Sequence, residues 1–181
     1  MKQGTARYIV LLTLILLGIT AVVAALLGLV NQITADKITA ITAEKTANAM
    51  AQVLSAENYT EITDYEDATG LVDNMYLADD KGYVLQTTVS GSQGMITLMV
   101  GVDCDGAVTG ISIIDHGETP GLGAVYAQDS AKGNAFRDSL VGLQGTVTTE
   151  DVDYISGATV TANAICTAVS AATACVAAYV G

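Results

Sequence analysis

A chain of 181 residues holds one domain and an anchor, and is too short for two full domains. It carries 19 acidic against seven basic side chains, a formal net charge of −12, which argues against nucleic acid or an anionic lipid surface as its partner. One histidine, and three cysteines without a CxxC, leave no material for a disulfide framework, a metal cluster or a His-based triad.

The first element is apolar. No charged residue occurs between Tyr8 and Ala35, and the 23 residues Tyr8–Val30 are almost wholly aliphatic. At about 1.5 Å per residue such a helix reaches about 35 Å, enough for a bilayer core. Lys2 and Arg7 precede it and uncharged residues follow. The excess of positive charge on the cytoplasmic side predicts a cytoplasmic segment 1–7, a single transmembrane helix 8–30 in the cell (inner) membrane, and an extracytoplasmic remainder. A cleaved signal peptide is the alternative. The run exceeds the usual 7–15 residues of such peptides, although Val23-Ala24-Ala25 could loosely serve a protease. Beyond the run stand all nineteen acidic residues and only five basic ones, a net of −14.

Residues 31–80 are read as a connecting region. The stretch 33–56 has near-helical spacing and is expected to continue as a helix, whereas 57–80 is acidic and without a clear pattern. Strands are predicted from the alternation over 82–89, 95–102 and 108–114, separated by a Gly/Ser turn at 90–92 and an Asp105-Gly106 hairpin turn. They predict an antiparallel meander with one buried face. His116-Gly117-Glu118-Thr119-Pro120-Gly121-Leu122-Gly123 is a loop by its glycines and proline. A weak helical pattern over 126–140 is broken by Gly133, and a short strand is expected over 147–155. Thr161 is placed as the N-cap of a last, Ala-rich helix reaching about Val180, which needs close packing to be stable. Cys166 and Cys175, nine residues apart, fall on opposite sides of such a helix and cannot bridge. They and Cys104 are expected as small buried hydrophobes. The fold class is therefore α+β: an N-terminal transmembrane helix, then a domain, residues 81–181, whose antiparallel sheet packs on helices.

One junction invites chemistry. A segment ending in the small residues Ser156-Gly157-Ala158 leads into a helix N-terminus, where unpaired N–H groups and the helix dipole favour an anion. Thr159 and Thr161 lie beside it. On residue types alone this is either an anion site or an ordinary Thr-capped helix.

Asp153-Tyr154-Ile155-Ser156-Gly157-Ala158-Thr159 resembles the D-x-x-S/T-G-A-T signature that flavin transferases recognise. The 116–123 loop resembles the H-x-E-T-P-G-L-G loop of the same FMN-binding domains. Both motifs, in this order after a membrane span, are similar over the whole chain to the family that includes the G subunit of the Rnf ion-translocating electron-transport complex. The C subunit of the sodium-pumping NADH:quinone reductase is a similar but usually longer relative. The resemblance implies FMN joined through its phosphate to Thr159, with Ser156, Gly157, Ala158 and Thr161 around the attachment point and Asp153 read by the transferase. It also implies that Glu118, Thr119, Gly121 and Leu122 lie against the flavin.

The resulting expectation is an electron-carrying subunit with no catalytic residue and no metal of its own. It would act in a membrane complex that couples ferredoxin/NAD electron transfer to Na⁺ or H⁺ translocation. Its partners would be the other subunits and, for maturation, a flavin transferase. A stand-alone flavinylated extracytoplasmic reductase would share both motifs, and a non-redox anchored binding protein would share only the anchor.

Overall fold

The computed structural model describes the backbone of residues 2–181 and the side chains of all but residues 1–6, 36, 39 and 40. The chain divides into two compact units, residues 1–44 and residues 45–181. Helix α1, Lys2–Val53, begins in the first unit and ends in the second.

In the first unit the stretch Arg7–Ala35 contains an 18-residue window of mean hydropathy 2.9, and none of its residues is buried. Its large aliphatic side chains, from Tyr8 to Val30, point outward all round. A helix apolar on every side has no place in water, and its length and composition suffice to cross a membrane.

The second unit is built on a five-stranded antiparallel sheet in simple sequence order. Its strands are β1 (Tyr59–Ile62), β2 (Val72–Ala78), β3 (Gly82–Ser90), β4 (Met95–Asp103) and β5 (Val108–His116). The predicted meander corresponds to β3–β5. β1 and β2 arise in the stretch read as patternless. β1 is only four residues long and β2 carries Asp73 and Asn74, so neither shows a clean alternation. The β4–β5 turn forms as expected: Gly106 adopts φ +82°, and Asp103 Oδ1 accepts from the N–H groups of Asp105 at 2.9 Å and Ala107 at 2.8 Å.

The sheet has two covered faces where one was expected. On one, Leu85, Ile96, Leu98, Val100 and Val102 pack under α3 (Thr159–Val180), through Ile165, Val169, Ala172 and Val176. On the other, Val84 and Met99 meet Ala49, Met50 and Val53 of the last turns of α1. Two strand glycines admit that helix end. A Cβ on Gly101 would stand 2.6 Å from the Val53 carbonyl oxygen, and one on Gly110 would stand 3.5 Å from it. The closing carbonyls of α1 find donors in Thr109 Oγ1 (to Val53, 2.6 Å) and Tyr59 Oη (to Leu54, 2.8 Å). Lys81 Nζ donates to the Ser55 carbonyl just beyond them, at 2.6 Å. Sheet side chains thus satisfy groups that every helix terminus leaves unpaired.

Between β5 and α3 run a 3₁₀ turn, Gly123–Ala127, and helix α2, Ala131–Ser139. Gly133 does not break α2. It sits where a Cβ would collide with the Val125 and Gln128 carbonyls, so it permits close packing. The strand expected over 147–155 is absent. Val147 N–H bonds to Ser170 Oγ at 2.8 Å, Thr148 N–H to Asp151 Oδ2 at 2.9 Å and Ile155 N–H to Tyr126 Oη at 2.9 Å. Side chains thus take the backbone bonds a sheet ladder would have supplied. α3 is apolar enough to pass for a membrane span, yet 12 of its 22 residues are buried in the domain. Its small residues bring it close to the sheet, as the composition required. Cys166 and Cys175 are buried in it; Cys104, contrary to expectation, is exposed in the β4–β5 turn, which buries nothing.

Candidate functional site

Three segments meet at one end of the sheet around a cavity of about 290 Å³: the β3–β4 turn, the loop after β5, and the start of α3. Two of them reach the cavity by the same device. In Thr119-Pro120-Gly121-Leu122 the Leu122 N–H bonds to the Thr119 carbonyl at 3.2 Å, and Gly121 has φ +81°. Proline in the second position and a left-handed glycine in the third are the pattern of a type II turn. In Ile155-Ser156-Gly157-Ala158 the Ala158 N–H bonds to the Ile155 carbonyl at 3.0 Å and Gly157 has φ +91°. The two turns face each other: Leu122 Cδ2 lies 3.7 Å from where a Cβ on Gly157 would be.

These turns sort the residues singled out by sequence. Glu118, Thr119, Leu122, Gly157, Ala158, Thr159 and Thr161 all line the cavity. Gly121 shapes its turn and lies outside the lining. Ser156 turns the other way and, with Asp153, lines a neighbouring groove of about 300 Å³ against Lys132 and Ala135 of α2. The signature is therefore divided between two surfaces. Gly123, the last residue of the loop motif, also lines the cavity, as do Ser92, Gln93 and Val160, which had not been singled out as site residues. The glycines flanking Ser92-Gln93 were the available signal, and they read only as a turn.

Thr161 does not cap α3. The helix starts two residues earlier, at Thr159, its N-cap position is Ala158, and no side chain caps it. Thr161 is the third helical residue, buried, and its hydroxyl donates to Glu118 Oε2 at 2.7 Å. From the third helical position its oxygen is past the place of a cap, and its proton goes to the buried carboxylate. Thr159, at the helix start, is exposed.

Glu118 is 7 % exposed and both oxygens of its carboxylate are hydrogen-bonded. Oε1 accepts from Ser92 N–H at 2.7 Å and Gln93 N–H at 3.2 Å, while Oε2 takes the Thr161 hydroxyl. Its own N–H reaches His116 Nδ1 at 3.3 Å, which gives the histidine a structural partner. Two glycines make room for the carboxylate. A Cβ on Gly91 would overlap Oε1, and one on Gly123 would overlap both Oε2 and the Thr161 hydroxyl.

The family model of the FMN-binding domain matches residues 91–174, a span that begins at the β3–β4 turn, ends in α3 and so encloses every wall of the cavity. The G subunit of the ion-translocating oxidoreductase complex of Methanosarcina acetivorans is 32 % identical over 163 residues, covering 85 % of this chain and 87 % of that one. The G subunit of the Na⁺-translocating ferredoxin:NAD⁺ oxidoreductase complex of Acetobacterium woodii is 30 % identical over 180 residues, covering 88 % and 87 %. This chain belongs to the G-subunit family of ion-translocating oxidoreductase complexes. A shorter match, 37 % identical over 86 residues and 46 % of each chain, is to the G subunit of the proton-translocating ferredoxin:NAD⁺ oxidoreductase complex of Clostridium ljungdahlii. The family resemblance read from the two motifs is thus correct, as is the α+β fold with its apolar N-terminal helix.

The cavity fits the cofactor of such a domain. FMN combines a flat, largely apolar ring with a polar edge and a phosphate. Leu122, 45 % exposed, and the exposed Val160 offer apolar surface. Thr119, Ser92 and Gln93 offer polar groups, and the uncapped start of α3 offers backbone N–H groups to an anion.

Proposed function

We infer that this chain is an electron-transfer subunit carrying FMN as a phosphoester on Thr159. It serves a membrane complex that couples ferredoxin/NAD electron transfer to Na⁺ or H⁺ translocation. The observation that carries the linkage is the contrast between two hydroxyls at one helix start. Thr159 is exposed on the cavity wall, whereas the Thr161 hydroxyl is buried and spent on Glu118. Only the first can be reached by an enzyme that modifies it.

The charge around the cavity supports a covalent bond. Among the described residues no lysine or arginine lines it, and Glu118 stands in its wall. A free flavin phosphate would be held by backbone N–H groups alone, in a domain of strongly negative charge, and would dissociate readily. An ester removes that loss. It forms from an activated phosphoryl donor: the Thr159 oxygen gains phosphorus and loses its proton, and the donor's leaving group departs. FMN supplies the one- and two-electron chemistry. The protein's own residues hold and surround it: Thr159 anchors the phosphate, Gly157 and Ala158 keep the approach clear, and Thr119 and Leu122 form the facing wall.

Maturation requires a flavin transferase, and the groove of Asp153 and Ser156 beside the attachment point suits a contact surface for it. The apolar helix anchors the chain in the cell membrane with one pass. Lys2 and Arg7 hold the N-terminus in the cytoplasm, so residues 31–181 lie outside, where an unattached cofactor would be lost. The test is co-expression with a flavin transferase, followed by denaturing electrophoresis under blue light. The parent band is expected to fluoresce and the Thr159→Ala band to be dark. A dark parent with the transferase present contradicts the reading.

A further inference from the structure

The β3–β4 turn, Gly91–Gly94, is held more firmly than a surface hairpin needs. Beyond its own closing bond, Gly91 N–H to the Gly94 carbonyl at 2.8 Å, it accepts two outside restraints, and Met95 just after it a third. Glu118 Oε1 takes the N–H groups of Ser92 and Gln93. Gly117 N–H bonds to the Met95 carbonyl at 3.2 Å. Gly94 and Gly117 pack backbone to backbone, so that a Cβ on either would stand 3.1 Å from the Cα of the other. Charge-assisted bonds to a buried carboxylate are among the strongest a turn can receive.

What the turn presents explains the restraint. Ser92 and Gln93 are exposed residues that line the cavity, with their N–H groups committed to Glu118 and their side chains left over. The other polar side chains of the lining are few. Glu118 and Thr161 are bonded to each other, and Thr159 carries the phosphate. Side-chain hydrogen bonds to the ring or the ribityl hydroxyls then come from Thr119, Ser92 and Gln93, since a bound polar edge left unpaired is costly.

We propose that Ser92 and Gln93 form a further wall of the flavin site, their hydroxyl and carboxamide bonding the polar groups of the flavin. Glu118 is the positioning residue that holds this wall and does not itself touch the cofactor. The proposal rests on the reading that FMN is attached at Thr159.

The experiment uses the full chain in detergent, with and without co-expressed transferase. In the flavinylated Ser92→Ala/Gln93→Ala variant the band should fluoresce as in the parent. Its ratio of oxidised to reduced flavin, poised at the parent's midpoint potential, should shift by about two- to tenfold, because two bonds that favour one redox state over the other are lost. In the flavin-free protein, amide hydrogen exchange at residues 92 and 93 should be unchanged by this pair of substitutions. Glu118→Ala should accelerate it by about tenfold or more, leaving β4 as slow as before. If Glu118→Ala does not fold, Glu118→Gln is read in the same way; it loses the charge and keeps one acceptor oxygen. An unmoved ratio in the fluorescent double variant overturns the wall. Unmoved exchange in the Glu118 variant overturns the positioning role. A dark parent band contradicts the attachment itself, which separates that failure from the other two.

Discussion

Glu118 Oε2 accepts the hydroxyl proton of Thr161 at 2.7 Å, joining the loop after β5 to the first turn of α3 inside the protein. The bond gives the two threonines of the helix start different work. Thr161→Val keeps the volume and leaves a buried carboxylate oxygen without its donor. We expect it to cost about 1.5–3 kcal/mol, the range for a hydrogen bond to a charged group, in denaturant unfolding of the full chain. The flavin should remain attached. A loss confined to a few tenths of a kcal/mol would mean that water replaces the hydroxyl.

Gly123→Ala attacks the same carboxylate from the other side. The added Cβ would overlap Glu118 Oε2 and the Thr161 hydroxyl, in a place where neither can yield without breaking their bond. Overpacking of this kind costs about 1–3 kcal/mol. Gly142→Ala is the control for adding a methyl group, because nothing stands within 4 Å of its Cβ, although its φ of +85° carries a conformational cost of its own. Unfolding midpoints should fall further for Gly123→Ala than for Gly142→Ala; the reverse order would contradict the cradle.

The sheet alternation, the hairpin at Asp105-Gly106 and both motifs were legible because each depends on residues adjacent in sequence. What was not legible depends on partners far along the chain. The buried second face of the sheet needs Gly101 and Gly110 to be read as seats for Val53, some fifty residues earlier. The false strand over 147–155 has strand-like composition, but Ser170 and Tyr126 claim its N–H groups. Thr161 has the right residue type for a cap, and only the position of Glu118 shows why it is not one. Glu118 itself was legible as a site residue, whereas its engagement with the Ser92-Gln93 turn was not.

Cysteine exposure tests the topology without engineering. Cys104 is exposed, while Cys166 and Cys175 are buried and burial pushes both thiols up to about 11. The thiolate is the reactive form, so the buried pair stays inert at neutral pH. A membrane-impermeant maleimide should label the chain in intact cells, and Cys104→Ser should abolish the label. Labelling that appears only after lysis would place the domain in the cytoplasm.

Acid stability should depend on Asp67. Partial burial raises its carboxyl pKa, but bonds from Thr69 Oγ1, Val72 N–H and Thr69 N–H outweigh this and hold it below its ordinary 3.8. A depressed folded-state value means stability that is present above the unfolded value and lost as pH falls through the folded one. Asp67→Asn should therefore lower stability at neutral pH and make it fall less steeply with acidification below about pH 4. Parallel stability curves for parent and variant across that window would contradict the assignment.

The central claim is the bond between Thr159 and the flavin phosphate. It is tested most directly by fragment-ion mass mapping of the C-terminal tryptic peptide, which begins after Arg137 and contains both Thr159 and Thr161. With the transferase co-expressed, the mass of an esterified FMN should appear on every fragment that contains Thr159, including those that end before Thr161. That mass on fragments containing Thr161 but not Thr159, or its absence from the peptide altogether, would contradict the account.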